Sequence, residues 1–144
     1  MKAGVDYPGV TVSYFCHDGK GNLLMSLRSQ NCRDERGHWD NGGGGLDIGM
    51  TIDETLAKEI KEEYCADILE KEFLGYYEVF REQEGKDTHW LALFFKIRLD
   101  PVQVRNGEPH KFDDVRWFKF GDFPRPLHSQ FMREYEMFKD KLLA

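Results

Sequence analysis

Apolar and polar positions in the first third of the chain predict two strands and then a loop. A β-branched and aromatic run spans Val10 to Cys16, and a second apolar run spans Leu23 to Arg28. The residues between them, His17 to Asn22, form a dense turn signal, which predicts a strand, a tight turn and a second strand. Residues 29–41 are polar and predict a loop that leads into four glycines, Gly42 to Gly45.

The next segment carries a helix start signal followed by a helical period. Thr51 with Glu54 three residues later fits a capping box, in which each side chain satisfies a backbone donor of the other residue. Leu56, Ile60 and Tyr64 recur at a spacing of four, so one stripe of the helix is apolar and packs inward. The pattern predicts a helix with Thr51 as its N-cap that runs to about Tyr64.

The second half of the chain predicts three more strands and a final helix. The predicted strands are 72–81, 88–99 and 115–120, the turn or loop segments are 84–87 and 106–109, and the last helix runs from about Ser129 to Leu143. No linker or repeat interrupts this order. Strands, a helix, more strands and a second helix predict one α+β domain over residues 1–144 with a mixed sheet.

Composition and charge narrow the class of protein. The chain has 144 residues, of which 40% are hydrophobic and 14% aromatic, which is too apolar for a disordered chain. The net charge of −6 argues against non-specific nucleic-acid binding, which needs a dense basic face. No run approaches the roughly 20 apolar residues of a membrane span, and no apolar signal segment follows Met1. We therefore expect a cytoplasmic protein that binds neither nucleic acid nor membranes.

The most informative chemistry lies on the predicted central helix. Glu62 and Glu63 both lie within about 60° of Glu59 around the helix, next to the apolar stripe. Three carboxylates on one ridge repel each other, and a hard divalent cation such as Mg²⁺ removes that repulsion. Acidic residues at this spacing are also typical of a solvated helix face, which Lys58 and Lys61 would partly neutralise. Both interpretations remain open from the helix alone.

The glycines before this helix favour the metal-binding interpretation. Gly43, Gly44 and Gly45 supply a backbone that can approach a ligand closely, and a glycine-rich segment leading into a helix suits a polyphosphate. The segment is not a P-loop, because no Gly-Lys-Ser/Thr follows it. It is not a dinucleotide-binding fingerprint either.

Taken together, residues 44–66 resemble the Nudix box, whose pattern is Gly-x5-Glu-x7-Arg-Glu-U-x-Glu-Glu-x-Gly-U, with U a bulky aliphatic residue. Gly44, Glu59, Ile60, Glu62 and Glu63 all stand in register with it.

Four positions depart from the family pattern. Lys58 stands where the family has Arg, and Met50 replaces the first Glu. Cys65 replaces the late Gly, and the small Ala66 fills the last aliphatic position. A thioether is a poor Mg²⁺ ligand, so any metal-binding role of the first Glu is lost here.

The resemblance implies a Nudix-like α/β/α sandwich with a mixed, mainly antiparallel sheet. It implies metal-dependent hydrolysis of the diphosphate linkage in a nucleoside diphosphate derivative, such as a nucleoside triphosphate or a nucleotide sugar. Glu59, Glu62 and Glu63 are the implied catalytic residues, and with the carbonyl of Gly44 they are the implied ligands of Mg²⁺ or Mn²⁺. Members of the family are often dimers, so a homodimer is compatible with the resemblance.

Substrate contacts and the general base are less closely defined. Arg28 lies at the mouth of the site in the family's layout and would bind a phosphate together with Gly43, Gly44 and Gly45, although a strand-end surface charge explains Arg28 equally well. The base belongs either to the box helix or to a later loop. Candidates in that loop are Glu108, His110, Asp113 and Asp114.

Two rival functions remain from the sequence. Met50 and Cys65 also fit a non-catalytic module that binds a nucleotide without turnover. A structural interaction domain, whose acidic ridge is only a solvated surface, is the third interpretation.

Overall fold

The computed structural model describes residues 1–144 as seven strands and two helices. In chain order they are β1 (Gly9–His17), β2 (Asn22–Arg28), β3 (Trp39–Asp40), β4 (Gly43–Gly45), α1 (Ile52–Tyr64), β5 (Glu70–Gln83), β6 (Lys86–Arg98), β7 (Phe112–Lys119) and α2 (Phe131–Leu142).

Strand β1 lies at the centre of the sheet. It runs parallel to β6 from the Gly9–Trp90 pair to the His17–Arg98 pair, and all other strand pairs are antiparallel. The strand order is β3-β2-β1-β6-β5, with β4 paired to β1 and β7 paired to β2. The predicted mixed, mainly antiparallel sheet is therefore confirmed.

The two helices cover opposite faces of this sheet. Side chains alternate along β1, and Tyr14 packs with the buried stripe of α1, whereas its neighbour Phe15 packs with Phe131 of α2. Two separate apolar cores result, one under each helix, and the α/β/α sandwich is confirmed. The helices have 13 and 12 residues, and neither has the length and apolar character of a membrane span.

The predicted hairpin of the first two strands exists only next to its turn. His17 pairs with Leu23, and beyond that pair the strands separate. β1 continues against β4 and β6, while β2 pairs along its length with β7. In a simple hairpin β1 and β2 would pair along their whole length. Here most of their pairing partners are strands that lie far away in the chain.

The predicted loop 29–41 and the glycine segment both contain short strands. Trp39 and Asp40 pair with β2, and Gly43 to Gly45 pair with β1. A glycine is needed for the second pairing, since a Cβ on Gly43 would lie 2.6 Å from the carbonyl oxygen of Val12. The glycine segment therefore forms a short strand here, because the missing side chains let it pair closely with β1.

Other boundaries differ from the prediction by a few residues. β5 and β6 continue to the Gln83–Lys86 pair, since polar residues at the exposed end of this hairpin still form ladder hydrogen bonds. β7 begins at Phe112 rather than Val115, and α2 begins at Phe131 rather than Ser129. The last helix has no side-chain cap, which explains why its start carried a weak signal.

Helix α1 begins as predicted. The Thr51 hydroxyl accepts from the Glu54 N–H at 3.0 Å, and the Glu54 carboxylate accepts from the Thr51 N–H at 3.3 Å. We expect Thr51→Ala to lower the free energy of unfolding by about 1 kcal/mol, because a helix N–H loses its acceptor. Urea unfolding measures this loss, with Thr51→Ser as the control that keeps the hydroxyl. Equal losses in both variants would contradict the role of the cap.

Candidate active site

The three glutamates of α1 lie at different depths. The helix turns its apolar stripe, Leu56, Ile60 and Tyr64, into the core, so neighbouring positions lie at the boundary with solvent. Glu63 is buried, the side chain of Glu59 is 14% exposed, and that of Glu62 is 48% exposed. The ridge therefore lies beside the apolar stripe, as its spacing predicts.

Glu63 is enclosed by β1 and the glycine segment. The Tyr14 hydroxyl donates a hydrogen bond to Glu63 Oε1. A Cβ on Gly42 would lie 3.1 Å from that same oxygen, so the backbone passes directly over the carboxyl group. Burial raises the pKa of Glu63 to about 8, although the Tyr14 hydrogen bond and the charge of Lys111 act in the opposite direction.

Glu59 lies against the same glycine segment two residues further along, at Gly44. A Cβ on Gly44 would lie 2.6 Å from Glu59 Oε2, so only glycine leaves room for this carboxylate. Burial and then the charge of Glu62 raise the pKa of Glu59. The site therefore concentrates negative charge where a cation would relieve it.

Lys58 partly supplies such a positive charge. Its Nζ lies 3.8 Å from Glu59 Oε1 and 4.0 Å from Glu62 Oε1. These are long single contacts to two different carboxylates, whereas a guanidinium could bind one carboxylate with two parallel hydrogen bonds.

A second departure from the family pattern lies at the end of α1. Cys65 is the C-cap and adopts a left-handed backbone conformation with φ of 59°. Its N–H donates to the carbonyl of Lys61 at 3.0 Å and closes the last turn.

The donors on α1 are hard oxygen ligands of the kind that Mg²⁺ takes. No group of three or more His, Cys, Asp or Glu side chains is gathered closely enough to hold a metal ion. Glu63 instead accepts a hydrogen bond from Tyr14, and Lys58 lies within 4.0 Å of both Glu59 and Glu62. The donor chemistry and the excess negative charge at Glu59 nevertheless fit a divalent cation.

The loop after β6 packs against the end of α1. The Gly107 N–H donates to the carbonyl of Glu63 at 2.9 Å, and a Cβ on Gly107 would overlap the carbonyl of Glu62. Glu108 follows, is 16% exposed, and pairs with Lys111 at 3.3 Å. The charges of Glu108 and Lys111 both act on Glu59 and Glu63.

The other base candidates lie elsewhere. His110 and Asp113 are exposed, and Asp114 pairs with Arg116 at 2.6 Å. Of the four loop candidates, Glu108 is therefore the one that the structure brings to the glutamates of α1.

A cavity of about 410 Å³ adjoins this ridge. One wall is the glycine segment with Glu63, and the opposite wall includes α2. Arg28 lies at this cavity, and Asp34 occupies its guanidinium through a 2.9 Å ion pair. Lys111 adds a second cationic side chain to the lining. The structure thus brings Arg28, Gly43, Gly44, Gly45 and Glu63 together around one cavity.

Sequence reasoning missed three residues of this region, namely Tyr14, Lys111 and Glu134. Tyr14 lies in a strand whose alternation indicates only burial, and Lys111 lies in a loop without a motif. A signal for Glu134 was present, because a glutamate interrupts the apolar stripe Phe131, Tyr135 and Phe138 at a buried helical position.

Glu134 gives the site a pH-dependent stability. Burial and then the charge of Asp40 raise the pKa of Glu134 to about 8, whereas an unfolded glutamate titrates near 4.3. The folded state therefore keeps a proton that the unfolded state releases, so this contribution to stability is lost as the pH rises toward 8.

We expect wild type to lose roughly 2 to 4 kcal/mol of unfolding free energy relative to Glu134→Gln between pH 5 and pH 8. Urea unfolding of both proteins across this range measures the difference, in which the shared contribution of Glu63 cancels. Parallel stability curves would show that Glu134 titrates normally.

Comparison with known proteins identifies the family that this fold and this glutamate ridge define. The chain matches the family model for the NUDIX domain over residues 7–138. The protein belongs to the Nudix family, and the resemblance of residues 44–66 to the Nudix box is confirmed at that level.

Solved structures with the same fold support this assignment. A MutT NUDIX hydrolase from Burkholderia pseudomallei is 22% identical, with 92% of this chain and 98% of that chain covered and a TM-score of 0.79. A MutT protein from Methanosarcina mazei Go1 is 22% identical, with 95% and 97% covered and a TM-score of 0.75. The NUDIX domain of Shewanella oneidensis NrtR, in complex with ADP ribose, is 17% identical, with 99% and 90% covered and a TM-score of 0.76.

Proposed function

We propose that the protein hydrolyses the diphosphate linkage of a nucleoside diphosphate derivative, either a nucleoside triphosphate or a nucleotide sugar. The observation that carries this proposal is the contact between the glutamate ridge and the glycine segment. Glu59 lies against Gly44 and Glu63 lies against Gly42, and the glycine segment and Glu63 line one cavity. The Nudix family membership supports the same class of reaction.

Mg²⁺ or Mn²⁺ is the proposed cofactor, with Glu59, Glu62, Glu63 and the Gly44 carbonyl as ligands. When bound, the cation lowers the pKa of a water molecule and neutralises charge on the diphosphate. Tyr14 keeps the buried Glu63 oriented by its hydrogen bond. Gly44, which lines the cavity, leaves space for the Glu59 carboxylate beside it.

Cationic side chains of the cavity would bind the phosphate groups. Arg28 and Lys111 both line the cavity, and phosphoryl transfer depends on positioning and on compensating negative charge. Arg28 is held by Asp34, which restricts its guanidinium before substrate arrives.

Glu108 is the proposed general base among the loop candidates. Its carboxylate is half-buried, and the chain places it beside Glu59, Glu63 and Lys111. A carboxylate there can accept the proton of the attacking water.

The complex of the NrtR NUDIX domain with ADP ribose supports a small nucleotide as the partner of this chain. Soluble nucleotide substrates are consistent with the predicted cytoplasmic location, and a homodimer stays a prediction.

The proposal is tested by incubating the full chain with nucleoside triphosphates and nucleotide sugars in the presence of saturating Mg²⁺ or Mn²⁺. Chromatography of the products distinguishes cleavage between phosphates from phosphatase activity. We expect a nucleoside monophosphate and a phosphorylated leaving group from at least one substrate. Absence of cleavage across the panel, despite nucleotide binding, would contradict hydrolysis.

That outcome would favour the second candidate, a nucleotide-binding module without turnover. Two observations support it: Met50 replaces a carboxylate of the family pattern, and the three glutamates are not gathered into a metal cluster.

A further inference from the structure

One loop carboxylate joins two arginines at the cavity beside the glycine segment. Asp34 lies in the loop between β2 and β3, and its Oδ1 lies 2.9 Å from Nη2 of Arg28 in β2. Its Oδ2 lies 3.6 Å from Nη1 of Arg81 in β5. All three residues line the cavity. Each oxygen of a single carboxylate therefore faces a different guanidinium, and the two guanidiniums come from strands that are not neighbours in the sheet.

The Arg81 guanidinium has donors that no group of the protein uses. Its contact with Asp34 is an ion pair at 3.6 Å, and the hydrogen bond recorded for Arg81 outside the sheet is made by its backbone carbonyl to Thr88. The side chain is only 30% exposed, so most of it is withdrawn from water. A guanidinium has five N–H donors, and partly buried donors usually have acceptors. Free donors on a residue that lines a cavity indicate a site for an anionic ligand.

Arg28 is engaged more fully, but by the same loop residue. Its Nε donates to the backbone carbonyl of Asp34 at 3.1 Å, and its Nη2 donates to the Asp34 carboxylate. Nη1 lies 4.0 Å from Asp40 Oδ2, beyond hydrogen-bond distance. Nη1 is therefore free already, and Nη2 becomes free when the Asp34 side chain turns away.

The Asp34 side chain is held only by the two arginines, whereas other residues anchor its loop. The N–H of Cys32 donates to the carbonyl of Ser29 at 3.2 Å. On the other side, Glu35 Oε1 accepts the N–H of Ser129. A rotation of the Asp34 side chain can therefore release both arginines while the loop backbone stays anchored.

We propose that Arg28 and Arg81 form a binding site for a phosphate-class oxyanion, and that Asp34 occupies this site in the ligand-free protein as a built-in competitor. The inference rests on the proposed function in one respect, namely that the diphosphate of the substrate is the oxyanion that displaces Asp34. Binding of the oxyanion itself requires neither a metal ion nor turnover.

The exchange of Asp34 for a diphosphate follows from the chemistry of the guanidinium. Its parallel N–H donors match the oxygens of a carboxylate and of a phosphate alike. A diphosphate carries more negative charge and more acceptor oxygens than one carboxylate, so it can also engage the free donors of Arg81 and of Arg28 Nη1. Asp34 is tethered beside the arginines, and this high effective concentration lets it exclude weakly binding anions.

The test is calorimetric titration of the metal-free full chain with inorganic pyrophosphate. Asp34→Asn keeps the size of the side chain and removes its charge. We expect this variant to bind pyrophosphate about three- to tenfold more tightly than wild type, the effect of removing one or two partly exposed ion pairs. If Asp34 only fixed the loop and Arg28 in place, the same variant would bind pyrophosphate more weakly.

A double variant ties the gain to the second arginine. Arg81→Gln should weaken pyrophosphate binding about three- to tenfold, because one cation of the site is lost. In the double variant Asp34→Asn/Arg81→Gln most of the gain should disappear, since the two residues act on each other. The matched control is Glu82→Gln, which makes the same change in net charge at an exposed position next to Arg81. Its pyrophosphate affinity should stay within about twofold of wild type.

A measurement on wild type covers the case in which Asp34→Asn does not fold. The NMR signals of arginine Nε–Hε groups, assigned with Arg28→Lys and Arg81→Lys, report on each guanidinium separately. We expect both signals to shift during the pyrophosphate titration with one common Kd. Pyrophosphate binding that leaves either signal unmoved would contradict the site.

Unchanged or weaker pyrophosphate binding in folded Asp34→Asn, an equal gain in Glu82→Gln, or a gain that survives Arg81→Gln would each overturn the inference. Failure of the proposed hydrolysis is distinguishable from these results. A protein that shows the Asp34-dependent binding of pyrophosphate but cleaves no diphosphate keeps the oxyanion site and loses the enzyme. A protein that cleaves diphosphates without a gain in Asp34→Asn keeps the enzyme and loses the competitor.

Discussion

Replacing Glu63 by glutamine is expected to lower kcat by about 10³-fold or more while leaving the fold intact. The change replaces a carboxylate oxygen of the most buried glutamate, a proposed metal ligand, with an amide nitrogen that cannot bind the cation, and loss of one preorganised group at a reacting centre costs about this much. Glutamine preserves the side-chain shape, and its amide oxygen still accepts the hydrogen bond from Tyr14. Stability should therefore be retained although activity is not.

The measurement is steady-state hydrolysis of the best substrate by wild type and Glu63→Gln, with thermal unfolding of both. Glu136→Gln is the control, because it removes an exposed carboxylate far from the ridge on the other helix. Undiminished turnover in Glu63→Gln would remove this residue from the proposed metal site.

Replacing Gly44 by alanine is expected to lower kcat/KM by roughly 10- to 100-fold. A methyl group there would lie 2.6 Å from Glu59 Oε2, so the carboxylate must move away from the glycine segment. Small displacements of a positioning group cost rates of this order, because the reacting geometry is lost.

Gly45→Ala provides a matched control. Gly45 belongs to the same short strand, and a Cβ there meets nothing within 4 Å. Hydrolysis by Gly45→Ala should stay within about twofold of wild type, since no charged group is displaced. If both variants lost activity equally, backbone flexibility of the glycines rather than space for Glu59 would be the requirement.

Local signals made the central helix predictable from the sequence. The capping box needs only four consecutive residues, and both of its hydrogen bonds are present. The stripe of Leu56, Ile60 and Tyr64 likewise depends on one helix period, which also places Glu59 and Glu63 at its border.

Features that depend on distant parts of the chain were not predictable. Adjacent strands β1 and β2 separate after one pair, β1 then pairs with β6 and β2 with β7, and no local pattern encodes that choice. The ion pair of Arg28 with Asp34 joins a strand to a loop, and Glu134 reaches the cavity from the last helix. The spacing of residues within one segment carries no information about contacts between distant segments.

The left-handed residue at the end of α1 changes how one departure from the family pattern is to be understood. Glycine suits this position because it adopts that conformation without steric cost, whereas a residue with a side chain pays roughly 1 kcal/mol. Cys65 adopts this left-handed conformation despite the steric cost. The requirement at this position is a left-handed residue that ends the helix. Cys65 meets it, and the chain continues to Ala66 without a glycine. The substitution therefore lowers stability, while the helix still ends at this residue with its last turn closed.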